Sequence, residues 1–143
     1  MRRTTTLLVL CLALTMMGGC GRGGGLPMVA VRGTVTCGGE PVDMGEIRFV
    51  PIEGTPGPLS AGIIQAGQYR IDARGGVPAG RHRVEIVAQR RTGRQVMGHT
   101  GTEPGMIDET ESAGSPEYAG EQSPLIAEVS RSNTRFDFDL PEE

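Results

Sequence analysis

Val29-Ala30-Val31-Arg32-Gly33-Thr34-Val35-Thr36-Cys37 decides how this chain is read. Val29, Val31, Val35 and Cys37 fall on one side, with Gly33 between them, and Ala30, Arg32, Thr34 and Thr36 fall on the other. A period of two with small or branched apolar residues on one face is the signature of a half-buried strand. Gly38-Gly39-Glu40-Pro41 follows as a turn.

The same rhythm recurs along the chain. Gly45 to Val50 predicts a second strand, with Ile47 and Phe49 inward and Glu46 and Arg48 outward. Pro51 to Pro58, with three prolines and two glycines, predicts a loop. Ala61–Gln65 and Gln68–Asp72 predict a hairpin turning at Ala66-Gly67, with Tyr69 and Ile71 inward. After the turn cluster 75–80, Arg81 to Gln89 predicts the longest strand. Val84, Ile86 and Ala88 point inward there, and Arg81, Arg83, Glu85, Gln89 and the apolar Val87 point to solvent. Leu125, Ala127 and Val129 mark a sixth strand. Ser132-Asn133 is the expected tight turn into Arg135-Phe136-Asp137-Phe138-Asp139-Leu140, where Phe136, Phe138 and Leu140 are inward. Seven alternating strands without a convincing 3.6-residue period imply an all-β fold of two packed antiparallel sheets.

Residues 92–122 break this rhythm. They hold six glycines and two prolines and read as one long mobile loop rich in Glu and Asp, with Arg90, Arg91 and Arg94 around its start.

The N-terminal region has another logic. Met1-Arg2-Arg3 precedes an apolar run from Leu7 to Met17, too short for a permanent span of roughly 20 residues but fit for a secretory signal. Met17-Gly18-Gly19-Cys20 resembles the lipobox of bacterial lipoproteins. That resemblance implies a signal peptide over 1–19, lipidation at Cys20, and a flexible glycine-rich tether over 20–28. Removing 19 of 143 residues leaves 124, enough for one domain over 29–140. All 14 basic residues are arginine; loss of Arg2 and Arg3 leaves 12 against 17 acidic residues, a net charge of −5. A chain of that charge has no electrostatic reason to bind nucleic acid, so membrane association is expected through Cys20. Gly21, in place of an aspartate retention signal, points to the outer membrane within an extracytoplasmic location.

The order and spacing of Val31-Arg32-Gly33-Thr34-Val35-Thr36, Gly39-Glu40-Pro41-Val42 and Ile47-Arg48-Phe49-Val50-Pro51 resemble the opening of carboxypeptidase regulatory-like domains. Gly67-Gln68-Tyr69-Arg70-Ile71 and Val77-Pro78-Ala79-Gly80 continue the likeness. Small exported lipoproteins of this type also share Pro116-Glu117-Tyr118, Ser123-Pro124-Leu125 and the closing Phe136-to-Leu140 alternation. The resemblance implies a seven-stranded, immunoglobulin-like or transthyretin-like β-sandwich.

No catalytic set is apparent. His82, between Arg81 and Arg83, reads as a surface or strand-end residue, and His99 lies in the loop; neither sits in a zinc-binding pair. Asp108, Glu109 and Glu111 lack the spacing of an EF-hand. Gly114-Ser115-Pro116 is not a nucleophile elbow. Transthyretin-like hydrolases carry a closing Tyr-Arg-Gly-Ser, where this chain reads Leu140-Pro141-Glu142-Glu143. Cys37, the cysteine left after Cys11 and Cys20 are assigned, reads as a small buried thiol. Tyr118 is the one aromatic expected at the surface, a poor sugar platform. The expectation is a non-enzymatic structural or protein-interaction module without cofactor or metal. The alternative is a glycan- or peptide-binding module using the 92–122 loop.

Overall fold

A computed structural model describes residues 25–142. The expected signal peptide over 1–19, Cys20 and the first part of the expected tether lie outside the described residues. Eleven strands run in chain order: β1 Met28–Val29, β2 Val31–Cys37, β3 Glu40–Pro41, β4 Met44–Pro51, β5 Ser60–Gln65, β6 Gln68–Ile71, β7 Val77–Pro78, β8 Gly80–Thr100, β9 Glu103–Ala113, β10 Ile126–Val129 and β11 Phe138–Leu140. Ala73–Gly75 and Pro116–Ala119 form short 3-10 turns, and no α-helix occurs among the described residues. The fold is all-β. A strand falls within each of the seven stretches expected from alternation, the last reduced to Phe138–Leu140, and with β1, β3, β7 and β9 the strands number eleven among the described residues instead of seven.

The main strand order is β10-β8-β4-β5-β6-β2-β11, with β3 on β2 and β9 on β8, while β1 and β7 form a separate pair. Adjacent strands pair antiparallel with one exception. β11 runs parallel to β2, aligning Phe138 with Val35 and Leu140 with Cys37, so the expectation of purely antiparallel sheets is corrected. The cause lies in the last turn. Ser130 and Asn133 close it by backbone hydrogen bonds in both directions, but the chain then leaves β10 and crosses to β2. Arg32 N–H donates to Thr134 O and Phe136 N–H donates to Arg32 O, both at 3.0 Å.

Two local features show why these residues suit these positions. A Cβ on Gly33 would lie 1.7 Å from the Phe136 carbonyl oxygen, so only glycine lets the crossing segment approach β2 this closely. The β5–β6 hairpin turns on Ala66 (φ 49°) and Gly67 (φ 72°), the paired positive angles of a type I′ turn.

The core gathers the inward residues of the whole curled sheet. Val31, Val35, Ile47, Phe49, Ile64, Val84 and Leu140 are at most 1% exposed. Phe49 on β4 is its centre, with ring centroids 6.3 Å from Tyr69, 6.1 Å from His82 and 6.0 Å from Phe136. The Tyr69 hydroxyl donates to Phe136 O at 2.8 Å; burial pushes its pKa well above the ordinary phenol value. Phe136 and Phe138, expected fully inward, are only half-buried against this core.

The outward residues of the closing strand also have a task. Asp137 accepts from Thr34 N–H and Oγ1 at 2.8 and 2.9 Å, and Asp139 accepts from Thr36 Oγ1 at 2.6 Å and Gly39 N–H at 3.0 Å. The Arg135 hydrogen bond, then that of Thr34, lowers the Asp137 pKa; Thr36 and Gly39 do the same for Asp139. These carboxylates fasten β11 along β2.

Four further expectations change. His82 is fully buried instead of lying at the surface, because it continues the inward period of Val84 and Ile86 and its ring packs on Phe49. Glu85 is 8% exposed and is held by Arg83 Nη2 at 2.8 Å. Tyr118 packs partly buried against the core. The tether expected to run to residue 28 is already fixed at its end, where Ala79 N–H donates to Pro27 O at 2.7 Å.

Candidate interaction site

The segment expected to be a mobile loop is mostly strand. β8 continues past Gln89, where β4 stops pairing with it, and β9 returns beside it from Glu103 to Ala113. The two strands form an arm that leaves the body of the domain. Its turn is Gly101-Thr102, with Gly101 at φ 73°, and its register aligns Thr100 with Glu103. A glycine at the first central position is what a tight II′ hairpin turn needs.

Three acidic residues of this segment, Asp108, Glu109 and Glu111, pair within the arm itself. Arg90 Nε lies 2.8 Å from Glu111, Arg91 Nε 3.2 Å from Asp108, and Arg94 Nη2 2.7 Å from Glu109. Thr92 Oγ1 also donates to Glu109 at 2.6 Å. These exposed pairs set register more than stability, since each is worth about 0–1 kcal/mol. Arg91 N–H donates to Asp43 Oδ2 at 2.7 Å, which ties the root of the arm to the body. Between Arg91 and Gln95 the register shifts at a bulge containing Gly93 (φ 79°).

Beyond the bulge, Val96 faces Ile107 and Met97 faces Met106 across the strands. Met97 is 74% exposed and Met106 54%. Ile107 lies over Gly98, where a Cβ would meet its Cδ1 at 2.3 Å. Large unbranched thioethers held in the open on a two-stranded ribbon are costly to leave in water and adaptable on contact.

The arm shares one face with a concavity on the body. Residues directly opposite in a ladder point to the same side, and alternate residues along a strand do too. Gln89 faces Ser112 and Met97 faces Met106, so Val87, Gln89, Met97, Met106, Asp108 and Ser112 lie on one face. Val87 aligns with Glu46 and Glu46 with Ile63, which extends that face over β4 and β5. Here an open recess of about 700 Å³ is lined by Met44, Ile63 and Val87, with Asp43, Glu46 and Arg91 among its polar residues.

The residues weighed for chemistry stand apart. His99 is exposed on the arm and aligns with Pro104. His82 is in the core, with Nδ1 3.1 Å from Gly80 O and Nε2 without a partner. Burial lowers its pKa. Cys37 is a buried free thiol 3.7 Å from Pro141 O; desolvation, then the charge of Glu142, raises its pKa, which favours the unreactive protonated form. Asp108, Glu109 and Glu111 are brought to one arm but paired with three arginines. Among the described residues no group of three or more His, Cys, Asp or Glu is placed to hold a metal ion, and no helix is long and apolar enough to cross a membrane.

Met97 and Met106 are the residues that the sequence pattern hid. Gly98, Gly105 and Pro104 interrupt the apolar alternation, and the bulge removes its continuity with Arg81–Gln89. The available signal was Gly101-Thr102, flanked symmetrically by Met97 and Met106. The chain matches no family model, no curated protein and no solved structure.

Proposed function

We propose that this protein is an extracytoplasmic lipoprotein, held in the cell envelope through Cys20, whose transthyretin-like β-sandwich serves as a non-catalytic interaction module. The anchor rests on Met17-Gly18-Gly19-Cys20, and the outer membrane is favoured by Gly21. The interaction role rests on one observation above the others: an ion-paired β-arm carries Met97 and Met106 into solvent.

Attachment and arm are at opposite ends of the same strand. Pro27 is bonded beside Gly80, where β8 begins, and the arm turns after Thr100, where β8 ends. At about 3.3 Å per residue the separation is on the order of 60 Å. The segment from Cys20 to Pro27 spans at most roughly 25 Å. An anchor at Cys20 therefore leaves the arm clear of its own tether.

The test is fractionation of cells expressing the full chain. Cys20→Ala should move the protein from the membrane fraction to the soluble fraction; unchanged membrane retention would remove the anchor from the proposal. Shortening the arm by deleting residues 94–109 should leave membrane retention intact and abolish recovery of crosslinked partners.

A further inference from the structure

We infer that the row Arg70, Arg32 and Arg135, on the outer face of β6, β2 and the closing segment, is a binding site for a phosphate group. The inference is independent of the arm and of the lipid anchor.

The row is built by register. Arg32 on β2 is directly opposite Arg70 on β6. On its other side it forms a parallel bridge with Arg135, in the segment that crosses to β2 before β11. Residues aligned across strands point to one side of a sheet. All three arginines are exposed, while the adjoining residues Gly33, Tyr69 and Phe136 turn to the core. Neighbouring strands are about 4.8 Å apart, so the backbone positions of the three lie within roughly 10 Å.

Folding alone does not call for this arrangement. Like charges directly opposed across strands are destabilising, and the chain has more acidic than basic residues, 17 against 14. The flanking arginines are held but not saturated. Arg70 Nε donates to Asp72 Oδ2 at 2.6 Å, and Arg135 Nε donates to Asp137 Oδ2 at 2.9 Å. A guanidinium has five N–H donors, and the Nη atoms of both have no protein acceptor among the described residues. Arg32, between them, has no side-chain partner among the described residues. Three guanidinium groups against two carboxylates leave one positive charge in excess, centred on Arg32.

The space before the row suits a small oxyanion. A recess of about 330 Å³ is lined by all three arginines with Thr34 and Gln68, and no carboxylate lines it. A second, of about 170 Å³, opens beside Arg32 and Arg70 toward Ala30 and Thr134. The one aromatic residue of the larger recess, Tyr69, is buried with its hydroxyl committed to Phe136 O. The recess therefore offers charge and not a stacking surface. Guanidinium forks match carboxylate and phosphate oxygens alike. A planar carboxylate presents one edge and fills one fork. A tetrahedral phosphate presents oxygens in several directions, and so can meet forks that arrive from three strands. The geometry selects phosphate, free or carried by a lipid headgroup.

Arginine Nε–H resonances of the isotope-labelled full chain, titrated with inorganic phosphate, test the site. Arg32, Arg70 and Arg135 should shift to saturation, and Arg81, paired with Glu53 at 3.2 Å, should not. Arg32→Gln, read at Arg70 and Arg135, should weaken binding about tenfold through loss of a charge-assisted contact. Arg32→Lys should restore only part of it, because it returns the charge without the fork. Arg32→Gln also relieves the like-charge row, so without phosphate it should melt no lower than the parent chain, which separates lost binding from lost folding. Cosedimentation of the full chain with vesicles of phosphatidylcholine, with and without an equal amount of phosphatidylglycerol, identifies the source. An excess on the phosphatidylglycerol vesicles that Arg32→Gln removes and Arg81→Gln does not assigns a headgroup. Saturable binding of inorganic phosphate without that excess assigns a free phosphate; either outcome upholds the site. Acetate shifting Arg32 as strongly as phosphate at equal ionic strength overturns the choice of phosphate. No response to phosphate or to either vesicle overturns the site.

Discussion

Gly33→Ala is the substitution whose sign depends most on how β11 meets β2. In an ordinary strand, replacing glycine by alanine stabilises by roughly 0.5–1 kcal/mol, because the unfolded chain loses freedom. Here the added carbon would sit 1.7 Å from Phe136 O and 2.6 Å from Phe136 C. Both are backbone atoms, so no rotamer change relieves the clash. The segment carrying Phe136 must retreat by more than an ångström. That movement strains or breaks the Tyr69 hydroxyl bond to Phe136 O, the Phe136 N–H bond to Arg32 O and the Arg32 N–H bond to Thr134 O. At about 1 kcal/mol net each, the loss is about 3 kcal/mol. Subtracting the glycine-to-alanine gain leaves a net destabilisation of about 2 kcal/mol. Urea unfolding of the full chain, followed by far-ultraviolet circular dichroism, measures it. An equal or higher midpoint in the variant would refute the parallel docking of the closing segment on β2.

His82 gives a pH dependence with a defined sign. Its folded pKa is lowered by burial, partly opposed by the Gly80 carbonyl and the charge of Glu128. Below its ordinary value near 6.5 the unfolded chain therefore binds more protons, and stability falls as pH drops from there toward the folded pKa. Thermal melts from pH 7 to 5 should show this fall, and His82→Leu should flatten it; equal slopes would dismiss the buried imidazole as its source. Asp137 and Asp139, with lowered pKa values, add stability that is present above the ordinary carboxylate range and lost below it. Asp139→Asn should accordingly reduce the loss of stability on acidification below about pH 4, read in the same melts. Ala66→Asn should raise the urea midpoint by the equivalent of about 0.5–1 kcal/mol, since asparagine tolerates the φ of 49° better than alanine. A lower midpoint would contradict the I′ turn.

The body of the fold was legible because its strands are half-buried: Val31 to Cys37, Tyr69 with Ile71, and Val84 to Ala88 each write the buried face into a period of two. Direction was less legible. Phe136-to-Leu140 reads alike whether its neighbour runs parallel or antiparallel, and only the crossing after Asn133 decides it. His82 was misplaced because its polar side chain was weighed above its position, which continues the inward period of Val84, Ile86 and Ala88 and sets the ring against Phe49. The arm was missed for the converse reason. A ribbon without a buried face has no alternation to display, and its stabilising pattern lies in cross-strand pairs such as Arg91 with Asp108, which only the register reveals.

Hydrogen exchange of the full chain addresses the arm most directly. Amides paired across β8 and β9 over 95–98 and 105–108 are expected to exchange more slowly than an unpaired chain, while β4 and β8 up to Gln89 stay the most protected. Exchange of both arm strands at unstructured rates would contradict an ordered arm.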